Sequence, residues 1–96
     1  MAITVDIKNG FTLQEVSEVI RSALALDERI AMQKKVRYEN ICKDFEAEYG
    51  ISSDIFIEKF ESGDLDERDD YFNWFAAKKS FDTWKKKLDI LSGISI

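Results

Sequence analysis

Oxygen ligands cluster at one place in the sequence, in an acidic run of the kind that can hold a hard cation such as Mg²⁺ or Ca²⁺. The run consists of Asp64, Asp66, Glu67, Asp69 and Asp70. A calcium-binding loop needs glycine at its sixth position and glutamate at its twelfth. Counted from Asp64, the chain has Asp69 and Phe75 there. Because carboxylates are stabilised by the dipole at a helix N-terminus, the run predicts a solvated helix start and no metal site.

Groups for nucleophilic or acid–base catalysis are scarce. The chain has no histidine, and Cys42 is its only cysteine. Cys42 lies beside Ile41 within a helical segment, without an imidazole to activate it, so we expect a small buried hydrophobic residue. The glycines are too far apart to form a phosphate-binding loop. The sequence therefore predicts a protein that is not an enzyme and has no cofactor.

Lysines occur beside aromatic residues near the C-terminus, a combination that can bind phosphate groups. They are Lys78, Lys79, Lys85, Lys86 and Lys87. The whole chain, however, has 14 basic and 19 acidic residues and a net charge of −5, which repels nucleic acids and anionic membranes. We expect a solvated lysine face, no direct binding of nucleic acid or membrane, and a protein partner that is basic.

The cellular compartment and the need for a partner follow from composition. A single cysteine cannot form an intrachain disulfide and fits a reducing environment. The N-terminus lacks the pattern of a signal peptide, and no apolar run reaches about 18 residues. These features predict a cytoplasmic protein.

With 45% hydrophobic residues in 96, the chain has more apolar surface than so small a core hides, which favours association.

The first ten residues predict an extended arm. Ile3, Val5 and Ile7 alternate with polar residues, which is the period of a strand, but the run is too short to be stable alone. Added to the sheet edge of another chain, the arm makes the protein a binding module. Paired with its own symmetry mate, it makes the protein a homodimer.

Two helical segments are predicted next, at residues 12–26 and 27–49. Thr12 and Glu15 have the spacing of a capping box, which marks the start of the first segment. The apolar stripe of the second segment does not continue the phase of the first, and this predicts a bend at residues 25–28. One uninterrupted helix over both segments is the alternative, because neither glycine nor proline lies within them.

The C-terminal half predicts a corner and two further helices. Gly50 ends a helix in the left-handed conformation, and a serine then caps a short helix at residues 52–62. A long helix at residues 65–92 follows, with its apolar residues at heptad-like spacing. They are Trp74, Ala77, Phe81, Trp84, Leu88 and Leu91. We predict a single all-α domain of three to four helices, built on a long antiparallel helical hairpin between this helix and the one ending before Gly50, with a short N-terminal extended segment.

An aromatic group at the start of the last helix is the strongest candidate for a partner-binding site. It consists of Tyr71, Phe72, Trp74 and Phe75. At about 100° per residue, Phe72 and Phe75 point away from the heptad seam, so one neighbouring helix does not cover both sets. Either the short helix covers the far side or a second chain does. Clustered exposed aromatic residues are typical anchors of binding surfaces.

Over residues 38–91 the sequence resembles a group of short helical proteins of archaea and cyanobacteria that look like antitoxins encoded beside small toxins. The resemblance lies in residues 45–53 (FEAEYGISS), residues 56–63 (FIEKFESG), and the acidic run that leads into residues 71–75 (YFNWF). It implies a protein that wraps and neutralises a small basic toxin, and it brings no catalytic residues with it.

Two hypotheses of function follow. The first is a non-catalytic, antitoxin-like interaction module that binds a small basic protein through residues 3–7 and the aromatic group at residues 71–75. The alternative is a structural helical domain that self-associates as a homodimer and buries that aromatic group. A metal-dependent enzyme using the acidic run at residues 64–70 is a remote third.

Overall fold

The computed structural model describes residues 6–7 and 10–95 and consists of three helices. They are α1 (Leu13–Tyr49), α2 (Ser53–Glu61) and α3 (Asp69–Ser92). Within the described residues there is no strand. The long α1 packs along α3 as an antiparallel hairpin, which confirms the predicted all-α fold class.

Helix α1 begins at the predicted capping box. The Thr12 hydroxyl accepts a hydrogen bond from the Glu15 amide at 3.1 Å, and the Glu15 carboxylate accepts one from the Thr12 amide at 3.0 Å. The backbone and side-chain hydrogen bonds from Thr12 lower the pKa of the Glu15 carboxyl. Two amides that the helix itself leaves unpaired are thereby satisfied, which sets the first residue of α1.

Helix α1 then runs for 37 residues without interruption. The two predicted segments at residues 12–26 and 27–49 are therefore one helix, which is the uninterrupted alternative. No glycine or proline breaks the backbone hydrogen bonds there, and the change in apolar phase has another origin. The apolar residues of the N-terminal half and those of the C-terminal half lie on different sides of one continuous helix.

The corner between α1 and α2 follows the predicted chemistry. Gly50 has φ of 71°, and its N–H donates to the Glu46 carbonyl at 2.8 Å. Ser52 caps α2 by accepting from the Ile55 amide at 3.2 Å. The Glu46 carboxylate reaches across the corner and accepts from the Ser53 amide at 2.8 Å. The corner thus satisfies backbone groups at the ends of both helices and turns the chain back toward α1.

Helix α3 lies antiparallel to α1 and is tied to it at both ends. The Tyr49 hydroxyl donates to the Asp70 carboxylate at 2.7 Å near the start of α3, and Lys87 pairs with Asp27 at 3.6 Å near its end. The helix begins at Asp69, four residues after the predicted start at residue 65. Gly63, with φ of 77°, precedes this connecting segment.

The hydrophobic core lies at the end of the molecule where all three helices meet. Its buried members are Cys42, Phe56, Trp74 and Ala77. Partly buried apolar side chains surround them: Tyr38, Ile41, Phe45, Tyr49, Ile51, Ile57, Phe60, Leu65, Tyr71 and Phe75. Further along the hairpin, Ala31 and Leu91 are also buried. The core is thus concentrated in one half of the length of α1.

The molecule is markedly elongated, with dimensions of 62 × 22 × 19 Å and a radius of gyration of 19.2 Å. A compact domain of this length has a radius of gyration of about 12.5 Å. Helix α3 ends at Ser92, and Ile94 and Ser95 pack beside Leu24 and Ala25 of α1. The first turns of α1, before residue 21, therefore project beyond α3, and among residues 6–7 and 10–95 no other helix lies beside them.

Candidate interaction surface

The structure places Trp74 at the centre of the core. Its side chain has no exposed surface, and its ring stacks on Phe56 with centroids 3.9 Å apart and on Phe45 at 5.6 Å. Its indole N–H donates to the Ser53 hydroxyl at 2.9 Å. Trp74 is therefore not accessible to a docked partner in this conformation, because α2 covers the face that sequence reasoning assigned to a binding surface.

The other residues of the aromatic group are covered to different extents. Tyr71 and Phe75 are partly buried, with Tyr71 against Phe56 at 5.7 Å and Phe75 stacked on Phe60 at 4.7 Å. Phe72 contacts Phe60 edge-on at 5.6 Å but keeps 53% of its surface exposed. Helix α2 thus covers most of the group, and Phe72 is its one large side chain that faces solvent.

The predicted N-terminal arm lies only partly within the described residues. Ile7 has no regular secondary structure and is 38% exposed. Ile3 and Val5 lie outside the described residues. The pairing of residues 3–7 with a sheet edge accordingly stays a prediction.

An apolar surface that sequence reasoning did not single out runs along the N-terminal half of α1, and we call it the α1 stripe. Its members are Val16, Val19, Ile20, Ala23, Leu26 and Ile30. Val19 is 69% exposed and Leu26 55% exposed. Residues 19–30 line a shallow groove of about 460 Å³, and Phe11, 63% exposed, adds a second apolar hollow with Val16 and Val19. Exposed apolar patches of this kind mark interaction sites in soluble proteins.

The direction of the α1 stripe explains why α3 does not cover it. At about 100° per residue, the stripe is about 120° wide and points roughly 90° away from the α1 residues that face α3. The α3-facing residues include Leu24, Ala31 and Cys42. After Ile30 the same side of α1 carries Lys34 and Arg37, and the stripe ends. The stripe is thus a separate lateral surface.

A signal for the α1 stripe was present in the sequence. The phase change that predicted a bend at residues 25–28 arises because one helix has two apolar faces. The second face needs a separate neighbour to bury it. Interpreting the phase change as a bend removed that need, because each segment then required only one buried face. The lengths of α1 and α3, which decide how much of α1 is covered, depend on packing.

A polar recess of about 210 Å³ lies between the helices, and it contains side chains that can react chemically. Cys42, Ser53 and Lys78 line it. Burial raises the pKa of the Cys42 thiol, so the reactive thiolate is disfavoured at neutral pH. The Ser53 hydroxyl already accepts from the Trp74 indole at 2.9 Å. These groups therefore have structural roles between the helices.

Lys78 completes this network. Burial opposes its charge, but a hydrogen bond to Asp82 at 2.8 Å and an ion pair with Asp54 at 3.3 Å outweigh that effect and raise its pKa. Two other lysines of the predicted solvated face join neighbouring helices: Lys79 pairs with Glu61 at 3.2 Å and Lys87 with Asp27 at 3.6 Å. The basic strip is thus partly engaged in ion pairs with the chain itself.

The acidic run contributes to helix contacts. Asp70 accepts from Tyr49 at 2.7 Å, and Asp66 pairs with Arg68 at 3.3 Å. Asp69 and Asp70 occupy the first turn of α3, where the helix dipole stabilises negative charge. Across the described part of the chain, no three carboxylate or thiol side chains converge as a metal site requires.

Comparison of the chain with protein-family models, with curated proteins and with solved structures gives no match. None of the helices in the described region combines the length and the apolar composition that crossing a membrane requires.

Proposed function

We propose that this chain is a non-catalytic protein-interaction module of the cytoplasm whose main docking surface is the α1 stripe. The observation that carries the proposal is the exposure of Val19 and Leu26, at 69% and 55%, within a face of α1 that is apolar apart from Asp27. Burial of such side chains contributes about 1.5 to 3 kcal/mol each, so a helix that leaves them in water gains stability when a partner covers them.

The residue types support a role in binding over a role in catalysis. The chain has no histidine, its one thiol is buried, and the hydroxyl of Ser53 is held by Trp74. The groups that most often transfer protons or form covalent intermediates are thus lacking or occupied. What the molecule offers to a ligand is an extended apolar face, which is the surface of a helix-packing partner.

The resemblance in residues 38–91 supports a more specific role, that of an antitoxin-like protein that neutralises a small basic toxin. The net charge of −5 fits a basic partner. Besides the α1 stripe, the surfaces that such a partner would contact are Phe72, which is 53% exposed, and residues 3–7. The comparisons neither add to this role nor count against it.

The test is the solution mass of the purified chain by light scattering, alone and mixed with the product of the neighbouring reading frame. A stable mixed complex supports the antitoxin-like role. The variant Val19→Ser/Leu26→Ser is expected to lose the complex when the α1 stripe is the docking surface. The matched control is Met32→Ser/Val36→Ser, which changes two residues of 46% and 44% exposure on another side of α1 and should keep it.

A second candidate function is a structural domain that self-associates. The α1 stripe favours it as well, because a second copy presents an equally apolar face. A chain that remains monomeric at every concentration and binds no protein would overturn both roles and the interaction module with them.

A further inference from the structure

The arrangement of charge beside the α1 stripe identifies what covers it. At about 100° per residue, Glu15 lies at the edge of the stripe near its N-terminal end, and Lys34 and Arg37 lie on the same side of α1 just beyond its C-terminal end. The stripe is therefore acidic at one end and basic at the other. A partner surface that is itself acidic at one end and basic at the other, and that runs in the opposite direction, complements both ends.

We propose that a second copy of this chain covers the α1 stripe, with the two α1 helices antiparallel and a two-fold axis at Ala23. The proposal rests on the interaction role given above and names the partner for that surface. In this register Val16 faces the partner's Ile30, Ile20 faces the partner's Leu26, and Ala23 meets its own copy. Every stripe position but one is thus matched by an apolar side chain.

The exception is Val19, which faces the partner's Asp27, a residue that lies between Val16 and Ile20 around the helix. Asp27 is already paired with Lys87 at 3.6 Å in its own chain, so it does not bring an unpaired charge to the interface. The small side chain of Ala23 allows close approach of the two backbones on the axis, where each copy contributes the same residue.

The antiparallel direction follows from the charges. It brings the Glu15 end of each copy within about one helical turn of the partner's Lys34, and it does so twice because the axis is two-fold. A parallel pair sets acid against acid and base against base over the same length. Within the described residues Lys34 forms no ion pair in its own chain, so a carboxylate of the second copy is its first such partner.

The size of the contact sets its strength. From Thr12 to Lys34 the paired helices run about 33 Å, and a helix is about 11 Å wide, which gives about 350 Å² of flat contact per copy. The two copies together contribute about 700 Å², which is below the range of stable specific interfaces and belongs to weak, transient association. The dimer is therefore expected to dissociate in the micromolar range, and light scattering should extend from about 10 μM to about 500 μM of chain. The mass should rise toward twice the 11.1 kDa of one chain.

A charge on the axis tests the location of the contact. Ala23→Glu places two carboxylates against each other in the dimer and should keep the protein monomeric over the whole concentration range. Ala23 is exposed in the single chain and glutamate favours helix, so the fold is retained. Met32→Glu introduces the same charge about 180° around α1 and should dimerise like the parent. Dimerisation of Ala23→Glu equal to the parent would overturn the proposal.

Cysteine cross-linking tests the direction. In a Cys42→Ser background, or Cys42→Ala if the serine variant unfolds, Ala23→Cys should form a disulfide-linked dimer on oxidation. Val16→Cys and Ile30→Cys should each fail to cross-link alone and should cross-link rapidly when mixed. Self-linkage of Val16→Cys at the rate of Ala23→Cys would show a parallel pair and overturn the antiparallel one.

The same measurements separate failure of this inference from failure of the interaction role. A monomer at about 500 μM that forms a mixed complex with the neighbouring gene product overturns the second copy and leaves the interaction module standing. A variant lacking residues 1–9 that dimerises when the full chain stays monomeric would show that the N-terminal residues cover the stripe, and it also overturns the proposal. A chain that stays monomeric and binds no other protein would overturn both the homodimer and the interaction module.

Discussion

At the residue scale, Trp74 and Gly50 hold the three helices in their arrangement at the α1–α2 corner. The indole ring stacks on Phe56 at 3.9 Å and on Tyr49 at 5.7 Å, and its N–H reaches Ser53. One side chain thereby joins all three helices. Gly50 lets the chain turn, because its φ of 71° is a conformation that other residues adopt only with strain.

Replacement of Trp74 by phenylalanine should destabilise the fold strongly. The change removes ring volume from a fully buried position and takes the donor away from the Ser53 hydroxyl. We expect a loss of about 2 to 4 kcal/mol in the free energy of unfolding, measured by urea denaturation. Trp84→Phe is the matched control, since Trp84 is only partly buried, and it should cost under about 1.5 kcal/mol. Equal losses in the two variants would contradict the central role of Trp74.

Replacement of Gly50 by alanine should cost about 1 to 2 kcal/mol in the free energy of unfolding. A Cβ at Gly50 meets nothing within 4 Å, so the whole cost comes from the left-handed backbone. Gly93→Ala is the control, because Gly93 has φ of −87° and its Cβ would make ordinary contacts at 3.5 Å. That variant should stay within about 0.5 kcal/mol of the parent. Thermal unfolding followed by circular dichroism measures both.

At the scale of the helices, the contact between the end of α1 and the start of α3 depends on protonation. The Tyr49 hydroxyl donates to Asp70 at 2.7 Å, and this hydrogen bond, with burial and the carboxylate charges, raises the pKa of Tyr49. The folded state thus holds the phenol proton more tightly than the unfolded state, where the pKa is about 10. The stabilisation is complete below that pH and is lost as the pH rises through the folded-state pKa.

Tyr49→Phe should therefore change the pH dependence of stability. The parent should be more stable than the variant by a constant amount from neutral pH to about pH 9, and the difference should shrink above about pH 10 as Tyr49 ionises. Urea denaturation of both proteins at several pH values measures this difference. Tyr38→Phe serves as the control, because Tyr38 is also partly buried. A difference that grows with pH would reverse the sign and contradict the role of the Tyr49 hydrogen bond.

At the scale of the whole molecule, the unequal lengths of the helices decide the shape. Helix α1 has 37 residues and α3 has 24, so the hairpin ends while α1 continues. The surplus length carries Leu13 and Val19, which are 70% and 69% exposed, and the core lies at the opposite end. The molecule therefore divides into a three-helix body that supplies stability and a projecting helix that offers surface.

Small-angle X-ray scattering should distinguish the antiparallel from the parallel dimer by the maximum dimension of the particle. A single chain is 62 Å long. With the two-fold axis at Ala23, each α1 extends about 39 Å from the axis to Tyr49 in opposite directions, so the antiparallel dimer should reach about 80 to 90 Å. A parallel dimer would remain near the length of one chain. The Ala23→Glu variant provides the monomer reference at the same concentration.

The sequence alone determined the features that depend on neighbours along the chain. The capping box of Thr12 and Glu15 spans four residues, and the left-handed Gly50 with its serine cap at Ser52 spans three. The heptad spacing from Trp74 to Leu91 likewise identified the face of α3 that packs on α1. Each of these is a local interaction or a periodicity within one helix, and the amino-acid types are sufficient to specify it.

Only the tertiary structure decided which apolar residues are covered. Trp74 and Val19 are both large apolar residues on long helices, yet the first is fully buried and the second is 69% exposed. The difference arises because α2 folds back over Trp74, whereas α3 ends before it reaches the first turns of α1. Coverage depends on distances between elements far apart in the chain, and no local pattern encodes these distances. For the same reason the phase change in α1 predicted a bend, although the continuous helix carries two separate faces.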